Sequence, residues 1–136
     1  MTNTVTKEKY FESVGRRKTS TARVRLVKAT KGQLSVNDEK PEVYFPTAEM
    51  RSRLEKVLVK IGEHGSFQIT AKVSGGGKSG QTDALLMGLG RALVVFKPET
   101  KPALKAEKIL TRDARAKERR KFGLKKARKS PQWSKR

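Results

Sequence analysis

The sequence has no cysteine and a single histidine, His64, among its 136 residues. Without cysteine there is no disulfide framework, no thiolate nucleophile and no thiolate metal ligand. One histidine leaves a classical zinc site short of the ligands that it normally takes. We therefore expect no metal and no cofactor. Since His64 stands between Gly62 and Gly65 in a turn-like stretch, we expect it to be a surface residue.

Long apolar runs are also missing, and hydrophobic residues make up only 35% of the chain. No stretch approaches the roughly 20 apolar residues that a membrane-spanning helix needs. Residues 1–10 lack the apolar segment of a signal peptide. The length suits one modest domain. These absences predict a cytoplasmic protein with no membrane partner.

Acidic residues are scarce, because 33 lysines and arginines face 13 acids and leave a net charge of +20. The imbalance is greatest over residues 112–136, where 12 cations and two acids give +10. Such a tail cannot pack against itself and needs a polyanion. A membrane surface or an acidic protein would also attract it, but its few scattered apolar side chains form no membrane-inserting helix face. A nucleic acid is therefore the favoured partner.

Apolar periodicity predicts a flexible segment over residues 1–9, an α+β domain over 10–111 and a basic extended C-terminal tail over 112–136. Strands are predicted at 10–15, 19–27, 33–37 and 66–74. The third strand is expected to return from a turn at Gly32. Helical segments are predicted at 40–45, 47–61, 81–96, 102–108 and 112–121. Thr47 and Gly62 suit the two ends of the second of these, and Gly88 and Gly90 would let the third approach a neighbouring element closely.

The glycine-rich loop Gly75–Gly80 joins a predicted strand to a predicted helix. Its Gly77-Lys78-Ser79 resembles the end of a P-loop, but the position of the first P-loop glycine is occupied by Lys72. Free N–H groups at the helix start favour an RNA phosphate there, and a flexible turn is the alternative interpretation. Asp83 could be a lone general base, although a stabilising acid near a helix start explains it equally well.

Other candidate RNA-binding side chains are cations grouped in short stretches and one aromatic residue. Arg16, Arg17 and Lys18 follow Gly15, and Arg23 and Arg25 alternate along the next strand. Trp133 is the only tryptophan; it is either exposed and flexible or stacked on a base, which is worth roughly 1–3 kcal/mol. The complete predicted set for ribosomal RNA is Arg16, Arg17, Lys18, Arg23, Arg25, Lys78, Arg112, Arg115, Arg119, Arg120, Lys121, Lys125, Lys126, Arg128, Lys129 and Trp133.

Four motifs in this order resemble the family of the ninth small-subunit ribosomal protein, in its bacterial form. They begin at Gly15 (GRRKTSTARV), Gly75 (GGGKSGQ), Thr111 (TRDAR) and Lys126 (KARKSPQWSKR). The resemblance implies a small sheet packed with two main helices, like the second domain of small-subunit ribosomal protein five. It also implies a left-handed βαβ crossover, against the usual right-handed rule, with the 47–61 helix and the following strand in the crossover.

The resemblance further implies a structural, non-enzymatic place in the head of the small ribosomal subunit, beside neighbouring ribosomal proteins of the head. The expected partners are the 3′ major domain of the ribosomal RNA and the anticodon stem-loop of peptidyl-site tRNA. The tip residues Ser134, Lys135 and Arg136 would contact that tRNA, and Trp133 replaces the family's usual Phe or Tyr. Two alternatives are a nonspecific DNA-packaging protein and a small phosphotransferase that uses the glycine loop.

Overall fold

The computed structural model describes residues 9–61 and 65–135, which form four strands and four α-helices. The strands are β1 (Tyr10–Arg17), β2 (Ser20–Lys28), β3 (Gln33–Val36) and β4 (Phe67–Ser74). The helices are α1 (Pro41–Tyr44), α2 (Ala48–Ile61), α3 (Lys78–Phe96) and α4 (Lys101–Ala106), the last preceded by a 3-10 turn over Pro98–Thr100. The predicted α+β class is confirmed. Gly62, His64, Arg136 and all but the last residue of the predicted N-terminal segment lie outside the described residues.

The four strands form one mixed sheet in the order β1-β2-β4-β3. β2 is antiparallel to both β1 and β4, whereas β3 is parallel to β4, with Val36 opposite Ala71. The prediction that β3 returns from β2 as a hairpin is therefore wrong. Both edges of β2 are taken by eight-residue ladders that a four-residue strand cannot displace, so β3 pairs with the free edge of β4 instead.

The connection from β3 to β4 runs through α1 and α2, because two parallel strands cannot be joined by a tight turn. This is the crossover segment that the sequence predicts, with a short helical turn before the long helix. Its predicted left-handed sense stays a prediction. On this path α1 brings Tyr44 beside the start of α3, where the Tyr44 hydroxyl donates a hydrogen bond of 2.9 Å to Gln81 Oε1.

Alternate residues of β2 and β4 are buried against the helices, as the period-two pattern predicts. In β4 the buried side chains are Phe67, Ile69, Ala71 and Val73. In β2 they are Ser20, Ala22, Val24 and Leu26, and the intervening Arg23 and Arg25 are exposed. Because α2 and α3 pack on one face only, the opposite face, which we call the outer face, is left with mostly charged and polar side chains beside the exposed Val14.

Two glycines set the distance between α3 and the sheet. A Cβ atom added at Gly15 would lie 1.9 Å from Ala84 O, and one added at Gly88 would lie 2.8 Å from Val24 Cγ2. The Ser13 hydroxyl donates a 2.5 Å hydrogen bond to Gly88 O across the same contact. The close approach predicted for Gly88 is therefore confirmed, and it lays α3 directly on β1 and β2.

Helix α3 begins at Lys78, three residues earlier than predicted, since Gly77 accepts the first intrahelical bond from the Gln81 amide at 2.9 Å. The tail has less regular structure than the sequence predicts, because no helix or strand is present over 107–135. The helix predicted at 112–121 is therefore wrong. Like charges at Arg115 and Arg119, and at Lys117 and Lys121, would repel one another on a helix surface, and the segment has no apolar stripe to bury.

Candidate nucleic-acid interface

The outer face of the sheet carries more cations than its acid can neutralise. The strand register places Arg23 directly opposite Lys72, although like charges in facing positions are unfavourable. Glu12 pairs with two arginines at once: Oε1 lies 3.3 Å from Arg23 Nε, and Oε2 accepts a 2.9 Å hydrogen bond from Arg25 Nε. One carboxylate against three cations leaves a net positive face that suits phosphate oxygens.

The glycine loop presents a cation and a helix start together. Gly75 and Gly76 adopt φ values of +73° and +61°, which glycine tolerates without strain, and Gly77 caps α3 without a side-chain hydrogen bond. Lys78 is exposed, and its Nζ lies 3.3 Å from the centroid of the Tyr44 ring. The backbone N–H groups of the first turn of α3 have no acceptor within the helix, so this end of the helix favours an anion.

The β1–β2 turn lies beside the glycine loop, so their cations share one end of the molecule. The loop packs closely on the turn, since a Cβ atom at Gly76 would lie 2.1 Å from Ser20 Oγ. The Ser20 hydroxyl also donates a 3.1 Å hydrogen bond to Gly75 O. Arg16 and Lys18 are both exposed at this turn. The structure thus brings together Arg16, Lys18 and Lys78, which the sequence predicts separately.

Arg17 differs from its two basic neighbours, because its side chain is only 15% exposed and is held by acids. Its Nη2 lies 3.2 Å from Asp113 Oδ2, and its Nε lies 3.6 Å from Asp83 Oδ2. Its Nη1 donates hydrogen bonds to the carbonyl oxygens of Asp113, at 3.4 Å, and Arg115, at 2.5 Å. The guanidinium is therefore committed to protein partners, and we do not retain Arg17 as an RNA contact. We call this arrangement the tail clamp.

The side chains of Arg115 and Arg53 contribute the remaining contacts of the tail clamp. Asp113 accepts hydrogen bonds from the Arg115 amide at 2.9 Å and from its guanidinium at 2.9–3.1 Å. These hydrogen bonds are the main reason why the pKa of the Asp113 carboxyl lies well below its usual range and why the pKa of Arg115 is raised. Asp83 is paired with Arg17 and with Arg53, whose Nη2 lies 2.8 Å from Oδ1 without hydrogen-bond geometry. Asp83 therefore neutralises two arginines, and the general-base interpretation is not supported.

Beyond the tail clamp, the basic side chains that the structure describes in the tail are exposed apart from the half-buried Lys121. The second acid of the tail, Glu118, pairs with Lys121 and with Arg128, whose Nε lies 2.9 Å from Oε2. Trp133 is 80% exposed near the end of the tail. The remaining predicted cations and tip residues that the structure describes are exposed and therefore available to a partner: Arg112, Arg119, Arg120, Lys125, Lys126, Lys129, Ser134 and Lys135.

The profile of one protein family, ribosomal protein S9/S16, matches residues 15–136 of the chain. The chain belongs to this family. The "small ribosomal subunit protein uS9" of Mycobacterium bovis (strain BCG / Pasteur 1173P2) is 49% identical over 129 residues, which are 95% of this chain and 85% of the relative. The protein of the same name from Mycobacterium tuberculosis (strain ATCC 25618 / H37Rv) is 49% identical over 95% of this chain and 85% of its own length. The protein of that name from Mycobacterium avium (strain 104) is 48% identical over 95% of this chain and 77% of its own length. The family resemblance read from the four motifs is confirmed.

Within this S9/S16 protein the structure also identifies residues that sequence reasoning missed. Lys72 belongs to the basic outer face, and the alternation of β4 was a sufficient signal for it. Arg53, Asp83 and Asp113 form the tail clamp through pairings distant in sequence, which no local pattern reveals. Among the residues that the structure describes, no helix is long and apolar enough to cross a membrane, and no cluster of three metal-ligating side chains occurs.

The tail clamp predicts that Arg17→Met frees the root of the tail. The methionine keeps the apolar stem but removes every donor from Arg17 to Asp113 and to the Arg115 carbonyl. Tryptic cleavage after Arg112 and Arg115 should then accelerate about tenfold relative to cleavage after Arg119, as measured by mass spectrometry. Arg16→Met is the matched control and should leave the rates unchanged. Equal cleavage rates in wild type and Arg17→Met, with both proteins folded, would contradict the tail clamp.

Proposed function

We propose that this protein is a structural component of the small ribosomal subunit that binds ribosomal RNA and reaches peptidyl-site tRNA with its tail. The proposal rests on the agreement between the names of the relatives and the charge of this chain. The relatives are named as proteins of the small ribosomal subunit, and this chain carries an excess of cations on one face of the sheet, at a helix start and along a tail. A ribosomal protein of this kind works in the cytoplasm, and its function is positional, so no enzymatic activity is assigned to it.

The folded domain would dock on RNA through two rigid groups of cations. The first is the outer face with Arg23, Arg25 and Lys72, and the second is the end that carries Arg16, Lys18 and Lys78. Contacts from such groups to phosphates fix orientation and carry little sequence information. Following the family resemblance, we assign the docking site to the 3′ major domain of the ribosomal RNA in the head, among the neighbouring proteins of the head.

The phosphotransferase alternative finds no support at the glycine loop. Lys72 occupies the position of the first P-loop glycine, and Asp83 is held between Arg17 and Arg53, so the loop lacks a complete phosphate cradle and a free general base. The alternative of a nonspecific DNA-binding protein shares the charge and must be separated by experiment. What favours RNA is the family, together with an irregular basic tail that can follow a folded polyanion.

The basic outer face predicts that Arg23→Gln/Arg25→Gln weakens RNA binding and lowers its salt dependence. Two lost phosphate contacts should reduce the slope of log affinity against log salt by about 1.5, and the affinity near 0.1 M salt about tenfold or more. The measurement is a salt titration with a transcript of the 3′ major domain, with duplex DNA as competitor.

The matched control is Lys56→Gln/Lys101→Gln, which removes the same charge from helices on the opposite side of the sheet from the outer face. It should retain most of the RNA affinity. If the two double variants lose equal affinity, net charge alone drives binding and the outer face is not a docking surface. If duplex DNA competes as well as the transcript, the nonspecific DNA-binding alternative is correct.

The tail would extend from this docking site to the tRNA and contact it. From Arg115, the 20 residues up to Lys135 span at most about 65 Å when fully extended. Trp133 offers an exposed aromatic surface, and Ser134 and Lys135 follow it to Arg136. We assign Ser134, Lys135 and Arg136 to the backbone of the anticodon stem-loop, where an arginine fork suits phosphate oxygens.

Deletion of Ser134–Arg136 should weaken tRNA binding at the peptidyl site about tenfold, the size expected for one lost charged hydrogen bond. Subunit assembly should proceed normally, because the docking cations and the tail clamp are untouched. The measurement is tRNA retention on subunits reconstituted with the truncated protein. Lys56→Gln/Lys101→Gln, which removes two charges from outside the docking groups and the tail, is the control and should leave retention unchanged. Unchanged retention on assembled truncated subunits would refute the role of the tip.

A further inference from the structure

One aromatic side chain in the tail has no protein surroundings. Phe122 is 100% exposed, whereas the other four phenylalanines, Phe11, Phe45, Phe67 and Phe96, all pack in or against the core. It follows Lys121 at a turn in which the Leu124 amide donates a 3.4 Å hydrogen bond to Lys121 O. Gly123 has a φ of +75°, which suits the third position of a type II turn and leaves Phe122 at the outer corner.

The turn is held within a small closed loop, so the position of Phe122 is not accidental. Glu118 pairs with Lys121 on one side and with Arg128 on the other, and it thereby joins the two ends of residues 118–128. Inside the loop, Arg120 Nε donates a 2.9 Å hydrogen bond to Leu124 O. The Lys125 amide donates a 2.7 Å hydrogen bond to Lys129 O. These bonds direct the backbone so that an apolar ring points to solvent.

The charges around Phe122 decide which partner its ring suits. Residues 117–129 hold eight cations and one acid. An apolar pocket on another protein would have to desolvate these cations, and charged residues are depleted at the centres of protein interfaces. Single-stranded nucleic acid matches both features, because its phosphates neutralise the cations while an unstacked base covers an aromatic ring.

We propose that Phe122 is a base-stacking site: the loop closed by Glu118 holds the ring ready for an unpaired nucleobase of RNA, and the flanking cations bind the adjacent phosphates. This inference rests on the proposed RNA-binding function and deepens it, since it adds a contact to a base where the other cations contact the backbone. Glu118 is a positioning residue in this account, because it acts through the loop and does not touch the RNA.

The test measures the affinity of the full-length protein for a single-stranded adenosine 20-mer and for its abasic counterpart of equal charge. Wild type should prefer the base-containing strand, and Phe122→Ala should lose about fivefold or more on that strand only. Phe122→Trp should retain the preference. Phe122→Leu should behave like Phe122→Ala, because leucine is apolar but has no aromatic face.

Retained affinity in Phe122→Leu would show that the site accepts any apolar group. An equal loss of affinity for both strands in Phe122→Ala would show that Phe122 only shapes the tail. Either outcome overturns the base-stacking site. Glu118→Gln should raise the affinity for both strands by removing a negative charge while lowering the preference for bases; an unchanged preference would remove the positioning role of Glu118. If the Phe122 variants bind normally while Arg23→Gln/Arg25→Gln still weakens RNA binding, this inference falls and the proposed function stands.

Discussion

The scarcity of negative charge is the constraint on which the rest of this structure depends. With 13 acids against 33 cations, most basic segments repel one another, and each acid that contacts more than one arginine holds them in place. Glu12 pairs with two arginines of the outer face, and Asp83 pairs with Arg17 and Arg53. Because one acid cannot neutralise two or three cations, positive charge remains for a polyanion.

The same constraint shapes the tail, whose two acids have distinct structural tasks. Asp113 holds the root of the tail against Arg17, and Glu118 closes the loop that carries Phe122. Asp113 is ionised at neutral pH, as an aspartate of ordinary pKa would be. The hydrogen bonds that lower its pKa keep the carboxylate of the tail clamp charged as the pH falls below the usual aspartate range. The tail is therefore organised at two points, and its other cations project outward.

The sequence predicts where the strands and helices lie better than it predicts which strands pair. Alternation along β2 and β4 and the apolar stripe of the long helix have one physical meaning each, so the strands, α2 and α3 were predictable to within a few residues. The pairing of β3 with β4 was not, because a short strand with two apolar side chains fits either neighbour until the competing ladders are known. The helix expected at 112–121 failed because charge repulsion outweighed local propensity.

The residues of the candidate interface also fall into those that local pattern predicts and those that depend on pairing between distant residues. Charge and spacing were enough to predict that Arg23 and Arg25 lie on an exposed strand face and that Lys78 lies near a helix start, because local pattern fixes these positions. Their contact with RNA stays a prediction. Arg17 was predicted as an RNA contact, although it is a structural ion-pair residue, because its partner Asp113 lies 96 residues away in the chain. Long-range pairing also explains why Phe122 carries no local signal: only the closure between Glu118 and Arg128 shows that the ring is held outward.

We infer that acids organise the tail before any RNA is bound and that RNA neutralises the remaining cations. Amide hydrogen exchange along residues 112–135 of the free protein at neutral pH measures this organisation. The amides of Arg115 and Lys125, which are hydrogen-bonded within the tail, should exchange about tenfold more slowly than those of Lys117 and Arg119. Addition of ribosomal RNA should then slow the others. Uniformly fast exchange over the whole tail of the free protein would contradict the account.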